Sequence, residues 1–152
     1  MFKRLFAGFG KSSKPAAAVL QDEIVKSVVS NITDLQDGEW EDREWVHIAV
    51  NHEVLIEEGR RSSTQAEVLA RKPGGDLEEH GFRLSMNTKA KLLELREAMT
   101  AEGKEPWTIV DLTIERDGRY AFDFSYTPPP RLGGNLLHSP LTGLLDRYSK
   151  RS

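Results

Sequence analysis

Apolar positions between Pro15 and about Leu35 repeat with a helical period. Leu20, Ile24 and Val28 stand four apart, and Val25, Val29 and Ile32 widen the stripe into a packing face. Pro15 suits a first turn, where its missing N–H costs no hydrogen bond. At Trp45 the period changes to two. Val46, Ile48, Val50 and Val54 point one way, and His47, Ala49, Asn51 and Glu53 the other, which predicts a half-buried strand over 45–55. Glu57-Glu58-Gly59-Arg60-Arg61 turns the chain into a weaker strand over 64–71, which Pro73-Gly74-Gly75-Asp76 ends. Gly81 to Met86 reads as a short extended piece with Phe82, Leu84 and Met86 on one side. A second helix follows over Thr88–Glu102. Leu92, Leu95 and Met99 form its buried stripe, Lys91, Glu94 and Glu97 face outward, and Gly103 supplies the stop.

Residues 107–126, WTIVDLTIERDGRYAFDFSY, give a β-hairpin turning near Asp117-Gly118. A two-residue loop would set Ile114 against Ala121 and Leu112 against Asp123. A three-residue loop, Arg116-Asp117-Gly118 with Gly118 left-handed, pairs Ile114 with Tyr120, Leu112 with Phe122 and Val110 with Phe124. Only this register matches apolar to apolar, so it is the one expected. Pro128-Pro129-Pro130 must then leave the sheet, because proline cannot donate to a ladder. Ser139-Pro140 looks like the cap and first turn of a short helix over Leu141–Tyr148.

These elements predict an α+β fold: an antiparallel sheet of about four to five strands, an N-terminal helix, a second helix before the final hairpin, and a short C-terminal helix. Residues 1–14 read as a flexible basic arm, 15–126 as a single domain, and 127–152 as a C-terminal extension.

The 152 residues suit one domain with one core. The absence of cysteine excludes a disulfide scaffold, a thiolate zinc site, an iron–sulfur cluster and a cysteine nucleophile, and fits a reducing cytoplasm. The net charge of −3 hides an arrangement: residues 1–14 carry +4, 146–152 carry +2, and 15–145 carry −9. Phosphate binding needs clustered Lys and Arg, so an acidic body disfavours nucleic acid and favours a cationic partner. No run approaches the roughly 20 apolar residues of a membrane span. The opening MFKRLFAGFGK is broken by Gly8, Gly10 and Lys11, short of a signal-peptide core.

The acids are the candidates for function. Between Asp34 and Glu44 there are six acids and one base, with Trp40 inside and Trp45 at the edge. Acids give steering and tryptophan gives an anchor, which makes Asp37, Glu39, Trp40, Glu41, Asp42 and Glu44 a candidate partner-docking segment. The chosen hairpin register adds Asp111 directly opposite Asp123, a like-charge pair that could dock Lys or Arg, serve acid–base chemistry, or stay solvated. Trp107 is expected in the core. His47 and His52 face opposite sides of one strand and cannot share a metal, and His80 is expected in a solvated turn. No H-E-x-x-H, nucleophile elbow, P-loop or G-x-G-x-x-G occurs, and neither cofactor nor metal is expected.

The stretch Ala101 to Tyr126 closely resembles the C-terminal part of the YezG-like family of bacterial toxin immunity proteins. The shared pattern is a helix ending at Gly103, the entry Glu105-Pro106-Trp107-Thr108, a turn at Asp117-Gly118, and the close Phe122-Asp123-Phe124-Ser125-Tyr126. The N-terminal helix, the segment around Glu39-Trp40-Glu41 and a meander of strands extend the likeness in order over 16–126. The resemblance implies a cytoplasmic protein that binds the C-terminal domain of a secreted toxin one-to-one, most often a nuclease, and neutralises it without turnover. Other readings are immunity against an NAD-consuming toxin, an adaptor or chaperone for a secreted effector, and a small metal-dependent hydrolase using Asp111, Asp123 and His47.

Overall fold

The computed structural model describes residues 16–33 and 42–151. The basic arm and most of the acidic-Trp segment lie outside the described residues. Eight elements follow in order: α1 (Ala16–Thr33), β1 (Glu44–Ile56), β2 (Arg60–Arg71), β3 (Glu78–Gly81), α2 (Met86–Ala101), β4 (Ile109–Glu115), β5 (Tyr120–Ser125) and α3 (Leu144–Lys150). The five strands form one antiparallel sheet in the order β3-β2-β1-β4-β5, so the fold is α+β as expected.

β1 is central because it pairs along most of its length on both sides: Val50 stands against Ala66 of β2 and against Leu112 of β4. The β4–β5 hairpin takes the register expected, with Ile114 against Tyr120, Leu112 against Phe122 and Val110 against Phe124. Its turn is closed by Glu115 donating and accepting: the Glu115 N–H reaches the Arg119 carbonyl at 2.8 Å, and the Gly118 N–H returns to the Glu115 carbonyl at 2.9 Å. Gly118 has φ +98°, which a side chain would resist.

One face of the sheet is apolar and carries both long helices. Ile24, Val28 and Ile32 of α1 and Leu92, Leu95 and Met99 of α2 pack on Ile48, Val50, Val68, Val110, Leu112 and Ile114. Trp107 is 0% exposed, as expected of a core residue, and its ring lies 5.7 Å from that of Phe124. A polar knot joins the two helices. Ser85 caps α2, its Oγ accepting from the Thr88 N–H at 3.1 Å, while Asn31 Oδ1 accepts from the Ser85 N–H at 2.9 Å. α2 ends in a Schellman motif: the Gly103 N–H bonds the Thr100 carbonyl and the Lys104 N–H the Met99 carbonyl.

Several local expectations differ from the structure. The short strand is Glu78–Gly81, not Gly81–Met86, because the backbone of 78–81 pairs with Glu67–Ala70 and the Ser85 cap then starts the helix. Met86 therefore opens α2 and is 79% exposed, and His80 sits on a strand. The last helix begins at Leu144, with Gly143 at its N-cap at φ +81°. Ser139-Pro140 does not cap it. Leu141 is instead buried against the sheet, and Arg147 holds the Thr142 and Pro140 carbonyls.

The second face of the sheet is covered by the chain's own C-terminal stretch. Leu141 and Leu144 pack on Ala49 and Leu69, with Leu77, Leu145 and Tyr148 around them. β1 is consequently buried on both faces from His47 to Val54.

Candidate functional site

The sequence-derived site residues fall into three groups. Asp37, Glu39, Trp40 and Glu41 lie outside the described residues, in the connection between Thr33 and Asp42. Asp42 and Glu44 are exposed at the start of β1. Between them Arg43 turns its side chain to Glu78 of β3 at 2.8 Å, so the one base of the segment is already paired. The hydrogen bonds from Arg43 and His80 hold the Glu78 carboxyl below its ordinary range.

Asp111 and Asp123 stand opposite each other, as the register requires, but they differ in surroundings. Asp111 is half-buried and accepts from Asn51 Nδ2 at 2.7 Å; Asp123 is exposed on the outer strand β5. Glu44 and Asn51 are seven residues apart on β1, so the two acidic groups are separated by roughly 24 Å at strand rise.

His47 does not join the aspartates. Its Nδ1 lies 3.0 Å from Glu115 Oε2, its ring packs 4.8 Å from that of Tyr148, and Arg151 reaches Glu115 at 3.1 Å. Burial pushes the Glu115 carboxyl up, but the His47 and Arg151 hydrogen bonds outweigh it and leave it below the usual range. Asp111 is four residues from Glu115 on β4, about 14 Å along the strand. Among the described residues no three His, Asp or Glu side chains come together in a way that could hold a metal ion.

Three arrangements escaped the sequence. First, Glu53, towards the C-terminal end of β1, is 0% exposed. Its carboxylate accepts from the backbone N–H of Arg131 at 3.2 Å and of Leu132 at 3.0 Å, with Arg131 Nη1 at 3.5 Å. Arg131 also donates through Nε to Ser63 Oγ at 2.7 Å and through Nη2 to the carbonyls of Asn51 and Ser63. A buried carboxylate is tolerable only with such a full set of donors. This centre pins the proline-rich segment to the sheet.

Second, Glu67 of β2 and Glu79 of β3 share a groove of about 480 Å³ roofed by Ser139, Leu141 and Thr142. Burial raises the Glu67 carboxyl to about 7, helped by a hydrogen bond and like charge from Glu79 and opposed by His80. Glu79 also accepts from the Leu145 N–H at 3.1 Å, which fixes the start of α3. Third, His52 is 2% exposed on the helix face, its Nδ1 held 2.7 Å from Thr64 Oγ1. Burial first, then the charges of Lys89 and Arg131, lower its pKa to about 4, so it is neutral at neutral pH.

The alternation of β1 placed Glu53 on the polar face, and that was the only local signal; its partner is far along the chain. No family model matches the chain, and no curated protein matches it significantly. Among the described residues no helix is long and apolar enough to cross a membrane.

Proposed function

We propose that the protein is an immunity protein. In this reading it binds a cognate secreted bacterial toxin in the cytoplasm of the producing cell, most directly a nuclease domain, and neutralises it by one-to-one contact without turnover. The observation that carries it is the acidic, Trp40-containing connection between α1 and β1, tied at both ends to a well-packed α+β scaffold. Residues 34–41 alone carry −4, nearly half of the body's −9, in a segment whose one neighbouring base, Arg43, is already engaged. A nuclease cleft is basic around its phosphate path, so concentrated acid accelerates encounter and mimics phosphate charge, while tryptophan supplies buried apolar contact. The hairpin's likeness to the YezG-like pattern points the same way.

His47 is held by Glu115, about 14 Å along the strand from Asp111, so the residues of the hydrolase reading do not converge. Asp123 extends the docking surface on β5, whereas Asp111 serves mainly to hold Asn51.

The test is recovery of the partner. Tagged protein drawn from its native cells and washed at high salt should retain one stoichiometric protein with a secretion-type N-terminal region and a toxic C-terminal domain. Reversing charge at Asp37, Glu41 and Asp42 should then slow association at least about tenfold and weaken protection, with Asp111 left intact to preserve the fold. Full protection by the reversed variant at physiological salt would refute electrostatic docking. Retention of no partner from cells that express toxins would refute the immunity reading itself.

A further inference from the structure

Between the β1–β2 hairpin and the first turns of α2 lies a cavity of about 360 Å³. That size is within the range of small-molecule sites. Val54 and, from α2, Ala90 and Leu93 make its apolar wall, and the exposed Met86 side chain stands at its edge. Its polar groups are two cations, one acid, the Ser62 hydroxyl and the His52 imidazole. Lys89 comes from α2 and Arg60 from β2, and among the described residues neither has an ion-pair partner. Glu94 is the one acid in the lining. His52 contributes a buried imidazole whose Nδ1 is taken by Thr64, leaving Nε2 as the ring nitrogen available to a ligand. The N-terminal end of α2 adds the partial positive charge of its unpaired N–H groups.

We infer that this cavity binds a small amphipathic carboxylate, with the carboxylate between Lys89 and Arg60 and the apolar body against Val54, Ala90 and Leu93. Charge complementarity selects the occupant. Two cations with no ion pair among the described residues, against one acid, favour an anion, and an apolar wall on the helix side favours a hydrocarbon chain or ring over a highly charged phosphate ester. Burial is the main reason His52 is neutral, and the charges of Lys89 and Arg131 add to it; those charges also favour an incoming anion. The polar groove at Glu67 and Glu79 has the opposite character, with two acids facing each other. The inference does not depend on the immunity reading, since the cavity attracts anions and the acidic connection attracts cations.

Octanoate is the probe, titrated into the full chain below its micelle concentration and followed by the imidazole nitrogen resonances of His52 and by calorimetry. Octanoate should shift the His52 Nε2 resonance saturably with one site per chain. Octanol, with the same chain and no charge, should bind at least about tenfold more weakly, as should octanoate to the double variant Lys89→Gln/Arg60→Gln. Both substitutions are at side chains with no ion pair among the described residues, so the thermal midpoint should be nearly unchanged. Ala90→Phe, which fills the cavity, should abolish the His52 shift while the helix persists. A His52 resonance that does not respond to millimolar octanoate would overturn the assignment. So would equal binding of octanol, or undiminished binding to the double variant.

Discussion

The two faces of the sheet are built on different physical terms. The helix face is mostly dry: Ile24, Val28 and Ile32 of α1 and Leu92, Leu95 and Met99 of α2 meet Val, Ile and Leu from the strands. The opposite face is closed by a loop-rich tail around a buried carboxylate, a buried arginine and a small apolar patch. Apolar burial is non-directional and tolerates repacking. A buried ion pair is directional and holds one arrangement or fails. In this protein, stability comes chiefly from the first face, and the path of residues 127–151 is fixed by the second.

The largest break in that contrast is Arg131→Met. It leaves the Glu53 carboxylate without its cation in a site closed to water, and should cost about 3–5 kcal/mol in urea-unfolding free energy. Adding Glu53→Gln to the same chain should recover much of the loss, because an uncharged amide still accepts from the Arg131 and Leu132 N–H groups and needs no cation. If the double variant is as unstable as the single one, Glu53 is not the reason Arg131 matters.

That centre also shows where sequence reading stops. The β4–β5 hairpin was legible because only one register sets apolar against apolar, and neighbouring strands report on each other locally. The α1 and α2 stripes were legible for the same reason, since a helix period names its buried face. Glu53 and Arg131 are separated by 78 residues, and no period links them. Alternation along β1 says which side Glu53 faces but not that a tail returns to cover that side. β3 was hidden for a related reason: Glu78, Glu79 and His80 look like a solvated turn, and only their backbone pairing with β2 makes them a strand. Among the site residues, Asp111 and Asp123 were placed correctly against each other, while the Asn51 donor that separates their roles comes from a third strand.

A smaller effect distinguishes the faces by pH. His52, between β1 and α2, titrates near 4 when folded and 6.5 when unfolded, so the stability it contributes is lost as pH falls from 6.5 through 4. Glu67, on the opposite face, titrates near 7 when folded and 4.5 when unfolded. The folded chain holds that proton more tightly, so its contribution is lost as pH rises from 4.5 through 7. His52 is bordered by Lys89 and Arg131, and Glu67 by Glu79 and His80. The thermal midpoint of Glu67→Gln, relative to the parent chain, should therefore rise between about pH 4.5 and 7, and that of His52→Gln should fall between about pH 4 and 6.5. Two differences moving in the same direction would show that the faces do not titrate as assigned.

The smallest effect tests whether the helix face is held by apolar contact alone. Ser85 ends the β3–α2 connection and caps α2, its backbone N–H donates to Asn31 of α1, and its Oγ lies 3.0 Å from the hydroxyl of fully buried Thr88. Ser85→Ala keeps the Asn31 bond, which uses the backbone, but removes the acceptor for the Thr88 N–H. A lost serine cap typically costs about 1 kcal/mol, or roughly 2–4 °C in melting midpoint for a chain of this size. Ser85→Asp supplies an acceptor with the charge that an α-helix N-terminus favours, and should restore or exceed the parent midpoint. Apolar packing by itself would leave all three chains alike. A drop with alanine that aspartate reverses would show that even the dry face takes its helix start, and hence the position of Lys89 over His52, from a hydrogen bond.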